Sequence, residues 1–578
     1  EIYTLSLHDA LPIWSAYTSL RDICTKGAQD YKNNVAFLKK DTKGGEYIPI
    51  TYMKLFNDVK ALSTWLLSLD LPSNKVAVIG DNSYEWWVAY FATTSAGMVI
   101  VPIDKDLSLG EMENLLTDSN SSVVFCKKQY ADAAKNCNIE KIYTIDFYKS
   151  EKEKAPTEIS YLIDQGNIML ENGNTAFDEV QIDPDTTVSL LYTSGTTGKP
   201  KGVMLSHKNI TTVINNTQKI VKIEQTDRSL SILPCHHTFE STLCLFLLSQ
   251  GASIAFFEGL RYIMDNFKQA QATILVGVPL IFESIYKKLT KSIKKSGKEK
   301  LVKSAIKINK ALSLLGQDKS RTLFKDIHEA FGGHLRLIMC GGASLDPGVA
   351  EGLTNFGFSL LRGYGLTETA PLIAATPDFD KQRNKKFKSV GAVIPSGKLK
   401  IENPDENGIG EIFYKGDNVM QGYYNMPEET AEILEDGWIK TGDLGFIDKK
   451  GWLFLTGRSK NVIITKTGKN VYPEELEVLV KNTKIIKECM VYEAETGSEG
   501  DTKIAIQLIP DYDYIKETHG TGFDTEKCNA LAIDAVHDIN KTLPVYKQMQ
   551  KIFIRTKAFK LTNTMKIKRK DKENLTIQ

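Results

Sequence analysis

Short apolar runs over 76–79, 99–103 and 123–126, and over 188–191 with only Ser189 interposed, predict buried strands. Between them, residues 84–96 and 109–116 repeat apolar positions at helical spacing. The alternation resumes after residue 202, with strands predicted over 230–233, 253–257, 272–276 and 335–339 and a helix over 239–248. Strands taken in turn with helices imply parallel sheets whose faces the helices cover. The 578 residues exceed one ordinary core, and two α/β subdomains are the economical arrangement.

Three stretches break the pattern. The polar segment 149–185 lies between the subdomains and is expected to run over the surface. The stretch from Lys287 to Lys310 is lysine-rich with a single acid, Glu299, and its apolar residues Ile293, Leu301, Val302, Ala305, Ile306 and Ile308 permit a partly amphipathic helix. Such a helix could make peripheral contact with an anionic membrane, and a solvated helix fits the same pattern. Over 390–424, glycines at 391, 397, 408, 410, 416 and 422 punctuate short alternating runs such as 398–402 and 411–414. That punctuation predicts a small antiparallel sheet or barrel, and a new domain is expected just after Gly457.

Charge and cysteine usage narrow the class. Lysine plus arginine, 72, nearly equals aspartate plus glutamate, 71, which argues against nucleic acid as the main partner. The eight cysteines show no CxxC pair and no metal-ligand spacing, so a reduced, cytoplasmic setting is expected. The longest apolar stretch, 86–103, contains Thr93, Thr94, Ser95 and Gly97 and reads as a helix followed by a strand, not a membrane span. Residues 1–13 back-translate codon by codon into a widely used short-read sequencing adapter. They are read as an artefact, and His8 and Asp9 within them are set aside.

Chemistry concentrates from Tyr192 to Gly202, where three glycines, four Ser or Thr hydroxyls and two lysines follow the apolar run 188–191. Glycine lets backbone N–H groups turn toward a ligand, hydroxyls donate to phosphate oxygens and lysine supplies mobile positive charge. Pro200 follows Lys199 where the nucleotide loop GxxxxGK[ST] needs a magnesium-binding hydroxyl, which excludes that motif. A lone Gly/Ser/Thr loop is also what an ordinary turn looks like. The full string, Tyr-Thr-Ser-Gly-Thr-Thr-Gly-Lys-Pro-Lys-Gly, resembles the phosphate loop of the AMP-forming adenylating superfamily of acyl-CoA synthetases, luciferases and peptide-synthetase adenylation domains.

Further motifs in the family's order extend the resemblance from Ser15 to Lys570. It implies that Thr193, Ser194, Gly195, Thr196, Thr197, Gly198 and Lys201 bind ATP or AMP, joined by Gly342, Ala343 and Ser344 of the turn after Cys340. In Arg362-Gly-Tyr-Gly-Leu-Thr-Glu-Thr369, it assigns Tyr364 to stacking on adenine, Gly365 to the same site, Thr367 to the α-phosphate and Glu368, with Thr193, to Mg2+. Asp443, ending Asp436-Gly-Trp-Ile-Lys-Thr-Gly-Asp443, would hold the ribose hydroxyls, and Arg458 would reach ribose or phosphate. A turn with a surface ion pair is the bland alternative for those two.

Lys460 matches the family's hinge, so the resemblance implies a large N-terminal domain over 14–457, a hinge at 458–460 and a small C-terminal domain over 461–578. The implied fold class is α/β: a large N-terminal domain of two α/β subdomains plus a small β-barrel-like subdomain, with a small mobile α+β C-terminal domain. Gly468 falls where the backbone would approach the pantetheine of CoA, although a plain turn glycine reads the same way. Lys566 aligns with the catalytic lysine that binds both the carboxylate and the α-phosphate, but Met565 stands where the family usually has glycine. In a basic tail a lysine is otherwise merely solvated. His237, in Leu233-Pro-Cys-His-His-Thr-Phe-Glu240, and Gly277 match positions lining the acyl pocket, while a structural histidine remains open for His237.

The implied reaction needs these groups, because a carboxylate attacking the α-phosphorus brings two anions together. Long-chain fatty acyl-CoA synthetases are the subgroup most resembled, on the string around His237 and on Val276-Gly-Val-Pro-Leu-Ile-Phe-Glu-Ser-Ile-Tyr286. The expected substrates are a fatty acid, ATP and CoA, with Mg2+ as cofactor. Two alternatives stay open: an adenylating enzyme that loads a carrier-protein thiol, and a non-catalytic lipid-binding relative.

Overall fold

The computed structural model describes residues 2–3, 16–145, 155–194, 200–465, 469–494, 503–520, 522–561, 567–569 and 571–576. The chain divides into two compact units, one of residues 2–399 with 414–439 and the other of residues 400–413 with 440–578.

The larger unit holds two sheets. In the first, Lys75–Ile79 lies between Val99–Ile103 and Val123–Cys126, all parallel, with Ile79 level with both Ile103 and Cys126. Lys141–Thr144 closes one edge, and Thr187–Ser194, Pro200–Ser206 and Gly422–Tyr423 follow on the other. Val76, Ala77, Val78 and Ile79 are fully buried, which explains an apolar run with no polar alternation. Helix Tyr84–Ser95 is buried on every side and starts where Ser83 accepts the Trp86 N–H. Ser108 and Glu111 cap Leu109–Ser119 reciprocally.

In the second sheet, Arg228–Ser231, Ser253–Phe256, Ile274–Gly277, Leu337–Cys340 and Ser359–Tyr364 run parallel. Val35–Lys39 and Ile48–Thr51 extend one side, while Ala374–Ala375 and Ser389–Val393 extend the other in antiparallel pairing. Three strands are displaced from their sequence expectation: Arg228–Ser231 starts and ends two residues before 230–233, Ile274–Gly277 starts two residues after 272, and Leu337–Cys340 starts two residues after 335.

The segment 149–185 also differs from expectation, since it is not merely a surface run. Helix Ile159–Glu171 docks on helix Tyr52–Leu67, burying Ile159 and Leu162. Gly166 makes the contact: a Cβ there would stand 1.9 Å from the Ala61 carbonyl oxygen, so only glycine admits this approach. The lysine-rich stretch forms two helices, Pro279–Lys295 and Glu299–Leu314, broken at Gly297 with φ +69°.

In the smaller unit, strand residues 400–402, 410–413, 440–447 and 452–458 lie side by side. Further along, Ile486–Ala494 pairs antiparallel with Lys503–Pro510, which pairs parallel with Lys551–Ile554. Helices Pro473–Lys481 and Thr525–Thr542 pack on these strands through Leu476, Val480, Ala532 and Val536. The chain is thus mixed α/β, with a large N-terminal domain and a smaller α+β C-terminal one.

All eight cysteines are free; seven are buried and Cys137 is half-buried. Among the described residues, no helix is long and apolar enough to cross a membrane.

Candidate active site

Parallel strands of an open sheet end in loops at one edge, and that edge is where such sheets bind ligands. In the larger unit, Gly277 is level with Cys340, and Cys340 with Arg362, so the loops after these strands leave the sheet together. They carry Gly342, Ala343 and Ser344 on one strand end and Tyr364, Gly365, Thr367 and Glu368 on the next. The Gly341 N–H donates to the Gly277 carbonyl at 3.3 Å. Gly342 adopts φ +83° at the turn, and a Cβ on Gly365 would stand 1.8 Å from the Pro371 carbonyl oxygen.

Glu368 is fixed from two sides. Its backbone carbonyl accepts the Met420 N–H at 2.9 Å, and its Oε1 accepts the Tyr423 hydroxyl at 2.7 Å. Burial, and next the Glu368 carboxylate, push the Tyr423 phenol well above the usual tyrosine range, so it stays protonated and donates. Tyr423 in turn pairs with Val203, and the Lys201 ammonium lies 4.8 Å from the Tyr423 ring centroid. Thr193 stands opposite Lys201 in the strand pair, and its hydroxyl lies 3.5 Å from the Lys201 carbonyl oxygen. The flank of the glycine-rich loop at Lys201 and the Glu368 carboxylate are therefore brought together through one tyrosine. Gly195, Thr196, Thr197 and Gly198 lie outside the described residues, as does the side chain of Ser194.

Asn418 pins the Glu368 turn from below. Fully buried, it donates to the Thr369 carbonyl at 2.7 Å and the Leu372 carbonyl at 2.8 Å and accepts the Tyr414 hydroxyl at 2.7 Å.

A second cluster surrounds His237. Asn82, after the first sheet's strand Lys75–Ile79, donates to Ser231 Oγ at 2.8 Å and to the Leu233 carbonyl at 2.7 Å, and accepts the Cys235 N–H at 2.9 Å. One carboxamide thus joins the strand ends of both sheets. Asp104, from the neighbouring strand end of the first sheet, reaches His236 Nε2 at 3.5 Å. The His236 and His237 rings lie 4.2 Å apart. Burial, and next His236, push His237 down to about 4, so the ring is neutral at physiological pH. Glu240, one turn on, is 2% exposed; its Oε1 accepts the Ser231 hydroxyl at 2.6 Å, and burial pushes it up to about 7. Among the described residues, Glu240 Oε2 and His237 Nε2 are buried without a hydrogen-bond partner.

In the smaller unit, Asp443 and Arg458 face each other across two antiparallel strands, with Arg458 Nε 2.8 Å from Asp443 Oδ1. Asp443 is nearly buried, and its N–H donates to Thr441 Oγ1 at 3.1 Å, while that hydroxyl donates to the Ile412 carbonyl at 2.8 Å. Lys460 follows in the short turn Ser459–Asn461. Lys566 and Gly468 lie outside the described residues. Just beyond Lys566, Arg569 donates to both Glu477 oxygens at 2.8 and 2.6 Å and to the Val491 carbonyl at 3.0 Å.

Sequence reasoning missed Tyr423, Asn418, Asn82 and Glu240 as members of these clusters. Glu240 ends a string already singled out for its histidine, and an acid in the first turn of an otherwise apolar helix was the available signal. Tyr423, Asn418 and Asn82 act through hydrogen bonds to distant segments, which no local spacing records.

A family model described as AMP-binding enzyme matches residues 24–424. The long-chain-fatty-acid–[acyl-carrier-protein] ligase AEE15 of Arabidopsis thaliana chloroplasts is 27% identical over 551 residues, covering 82% of this chain and 75% of the relative. The long-chain-fatty-acid–CoA ligase FadD15 of Mycobacterium bovis is 26% identical over 466 residues, covering 77% and 76%. O-succinylbenzoate coenzyme A synthetase from Bacillus subtilis, solved in complex with ATP and magnesium ion, shares the fold with a TM-score of 0.70 at 22% identity, covering 95% of this chain and 98% of that one. Matched by the model over well more than half its length, the chain belongs to the family of AMP-binding enzymes.

Proposed function

We propose that this enzyme activates a long-chain fatty acid with ATP and passes the acyl group to CoA, releasing AMP and pyrophosphate. The observation that carries the reading is the linked set Thr193, Lys201, Tyr423 and Glu368, which sets hydroxyl, cation and carboxylate beside the loop matched to phosphate binding. Both relatives named above are ligases of long-chain fatty acids, which supports the acid as substrate.

In this reading, the fatty carboxylate attacks the α-phosphorus of ATP and pyrophosphate leaves. Thr367 and the phosphate loop donate to the phosphate oxygens, Tyr364 stacks on adenine, and Asp443 with Arg458 holds the ribose. Lys566 contacts both carboxylate and α-phosphate, countering the repulsion of two anions. The donors fit Mg2+, which is held by one or two carboxylates plus substrate phosphates: Glu368 supplies a carboxylate fixed by Tyr423, and Tyr423 links it through Lys201 to Thr193. Bound there, it would neutralise charge on the departing pyrophosphate. The neutral, half-buried His237 and the buried Gly277 suit a wall against an acyl tail.

The hinge at 458–460 then lets the C-terminal domain bring Gly468 to the pantetheine, and the CoA thiolate attacks the mixed anhydride with AMP as leaving group. Each acyl methylene contributes about 0.8 kcal/mol, so a few wall residues set chain length. A carrier-protein thiol is a second acceptor, favoured by the likeness to a ligase of that type.

The test is AMP and pyrophosphate release with ATP, magnesium, CoA and a ladder of fatty acids, with Lys566→Ala as control. Acid-dependent AMP and acyl-CoA that collapse in the control are the expected result. Pyrophosphate without thioester would redirect the second step to a carrier protein, and silence across the ladder would overturn the reading.

A further inference from the structure

The helix Glu299–Leu314 has one face sealed and one face open. Val302, Ala305 and Ile306 pack on the core of the larger unit, and Asn309 is buried, donating to Asp318 Oδ1 at 3.0 Å and accepting the Lys319 N–H at 2.8 Å. These contacts fix which side points outward. On that side Leu301, Ile308 and Leu315 recur every seven residues, hence in one line, and they are 66%, 55% and 78% exposed. Leu314 beside them is 88% exposed, the highest value of any large apolar side chain among the described residues.

Charge surrounds this line. Lys300, Lys303 and Lys307 lie along the same open side, and Lys294 and Lys295 end the preceding helix. None of the five enters an ion pair among the described residues, whereas Lys298 and Lys310 are held by Asp326 at 3.2 Å and Glu351 at 3.0 Å. The only acid on the helix is Glu299, at its first position.

Unpaired lysines beside exposed leucines, on a helix pinned by its other face, meet an occupant that is anionic at its surface and apolar just beneath. We infer that this helix and the end of Pro279–Lys295 form a docking surface for an anionic lipid bilayer, with Leu301, Ile308, Leu314 and Leu315 entering the headgroup boundary and the lysines on the phosphates. A second copy of the chain is a poor occupant, because two such faces would set like charges together, and nucleic acid gives the leucines nothing to enter. The surface stands on these residues alone and not on the catalytic reading.

The experiment is flotation of the full chain with phosphatidylcholine vesicles, with and without phosphatidylglycerol, at low and high salt. Binding is expected only to vesicles with phosphatidylglycerol, and weakened by salt. Lys300→Glu/Lys303→Glu/Lys307→Glu should lower the affinity about 100-fold. Leu314→Ser/Leu315→Ser should lower it about tenfold while leaving the salt dependence in place. Both variants change only exposed side chains, so the thermal unfolding midpoint and the adenylation of a short water-soluble acid are expected to stay at wild-type values. Absence of binding, equal binding to neutral vesicles, or binding that neither variant weakens would each overturn the inference. So would a lipid-free dimer, seen by sedimentation, that Leu314→Ser/Leu315→Ser dissolves, for it would give the face to a second copy.

Discussion

At the scale of single residues, Tyr423 joins the flank of the glycine-rich loop to Glu368, its ring under Lys201 and its hydroxyl on the carboxylate. A hydrogen bond to a charged group is worth about 1.5–3 kcal/mol, so Tyr423→Phe should lower the adenylation rate roughly tenfold or more and raise the magnesium concentration needed for half-maximal rate. Initial rates over a magnesium series measure both, and an unchanged magnesium dependence would separate Tyr423 from the proposed metal ligand.

Glu240 and His237 give a second residue-scale prediction, through opposite linkages. Glu240 binds its proton more tightly folded than unfolded, so its contribution is full below 4.5 and is lost as pH rises toward about 7. His237 binds its proton less tightly folded, so its contribution is full above 6.5 and is lost as pH falls toward about 4. The two slopes oppose each other through most of that window. Glu240→Gln removes one of them, and its stability relative to wild type should rise by about 1.4 kcal/mol per pH unit between 4.5 and 7. Urea unfolding of both proteins at several pH values reads this directly, and parallel curves would contradict it.

At the scale of elements, Arg569 ties the end of the chain to helix Pro473–Lys481 through Glu477, which burial pushes up despite the guanidinium. Removing one partner strands the other, so Arg569→Ala should cost roughly 3–5 kcal/mol, whereas Arg569→Met/Glu477→Met should recover most of it. Equal losses in the two variants, measured by denaturant unfolding, would show that packing and not the pair is responsible. The strands 76–79, 99–103 and 123–126 were legible because burial on both faces leaves an uninterrupted apolar run. Helix Ile159–Glu171 was not, because its closest contact is made by the missing side chain of Gly166, which hydrophobic periodicity cannot register. For the site, the glycine-rich strings mark where strands end. The crosslinks that aim their side chains, from Asn82, Asn418 and Tyr423, connect residues far apart in the chain.

At the scale of the whole molecule, the balanced net charge of +1 conceals a strongly uneven distribution, since the 287–310 stretch is rich in lysine and contains a single acid, Glu299. Whole-chain charge is silent about a local surface. The proposed hinge gives the prediction at this scale. Proline fixes φ near −65° and removes an N–H, so Lys460→Pro should leave adenylation within about threefold of wild type and slow thioester formation by about 100-fold. Single-turnover assays of each half-reaction decide it, and equal slowing of both would place Lys460 in binding and not in the motion.

Seven of the eight thiols are sealed inside the protein and Cys137 is the half-buried one. Its own sulfur lies only 3.5 Å from the Glu113 carbonyl oxygen, at the margin of the larger unit's first sheet. A thiol-directed dye added to the folded enzyme therefore has one preferred point of attachment, supplied by the native sequence. The remaining seven serve as a clock for unfolding, because each becomes reactive only when the packing around it opens.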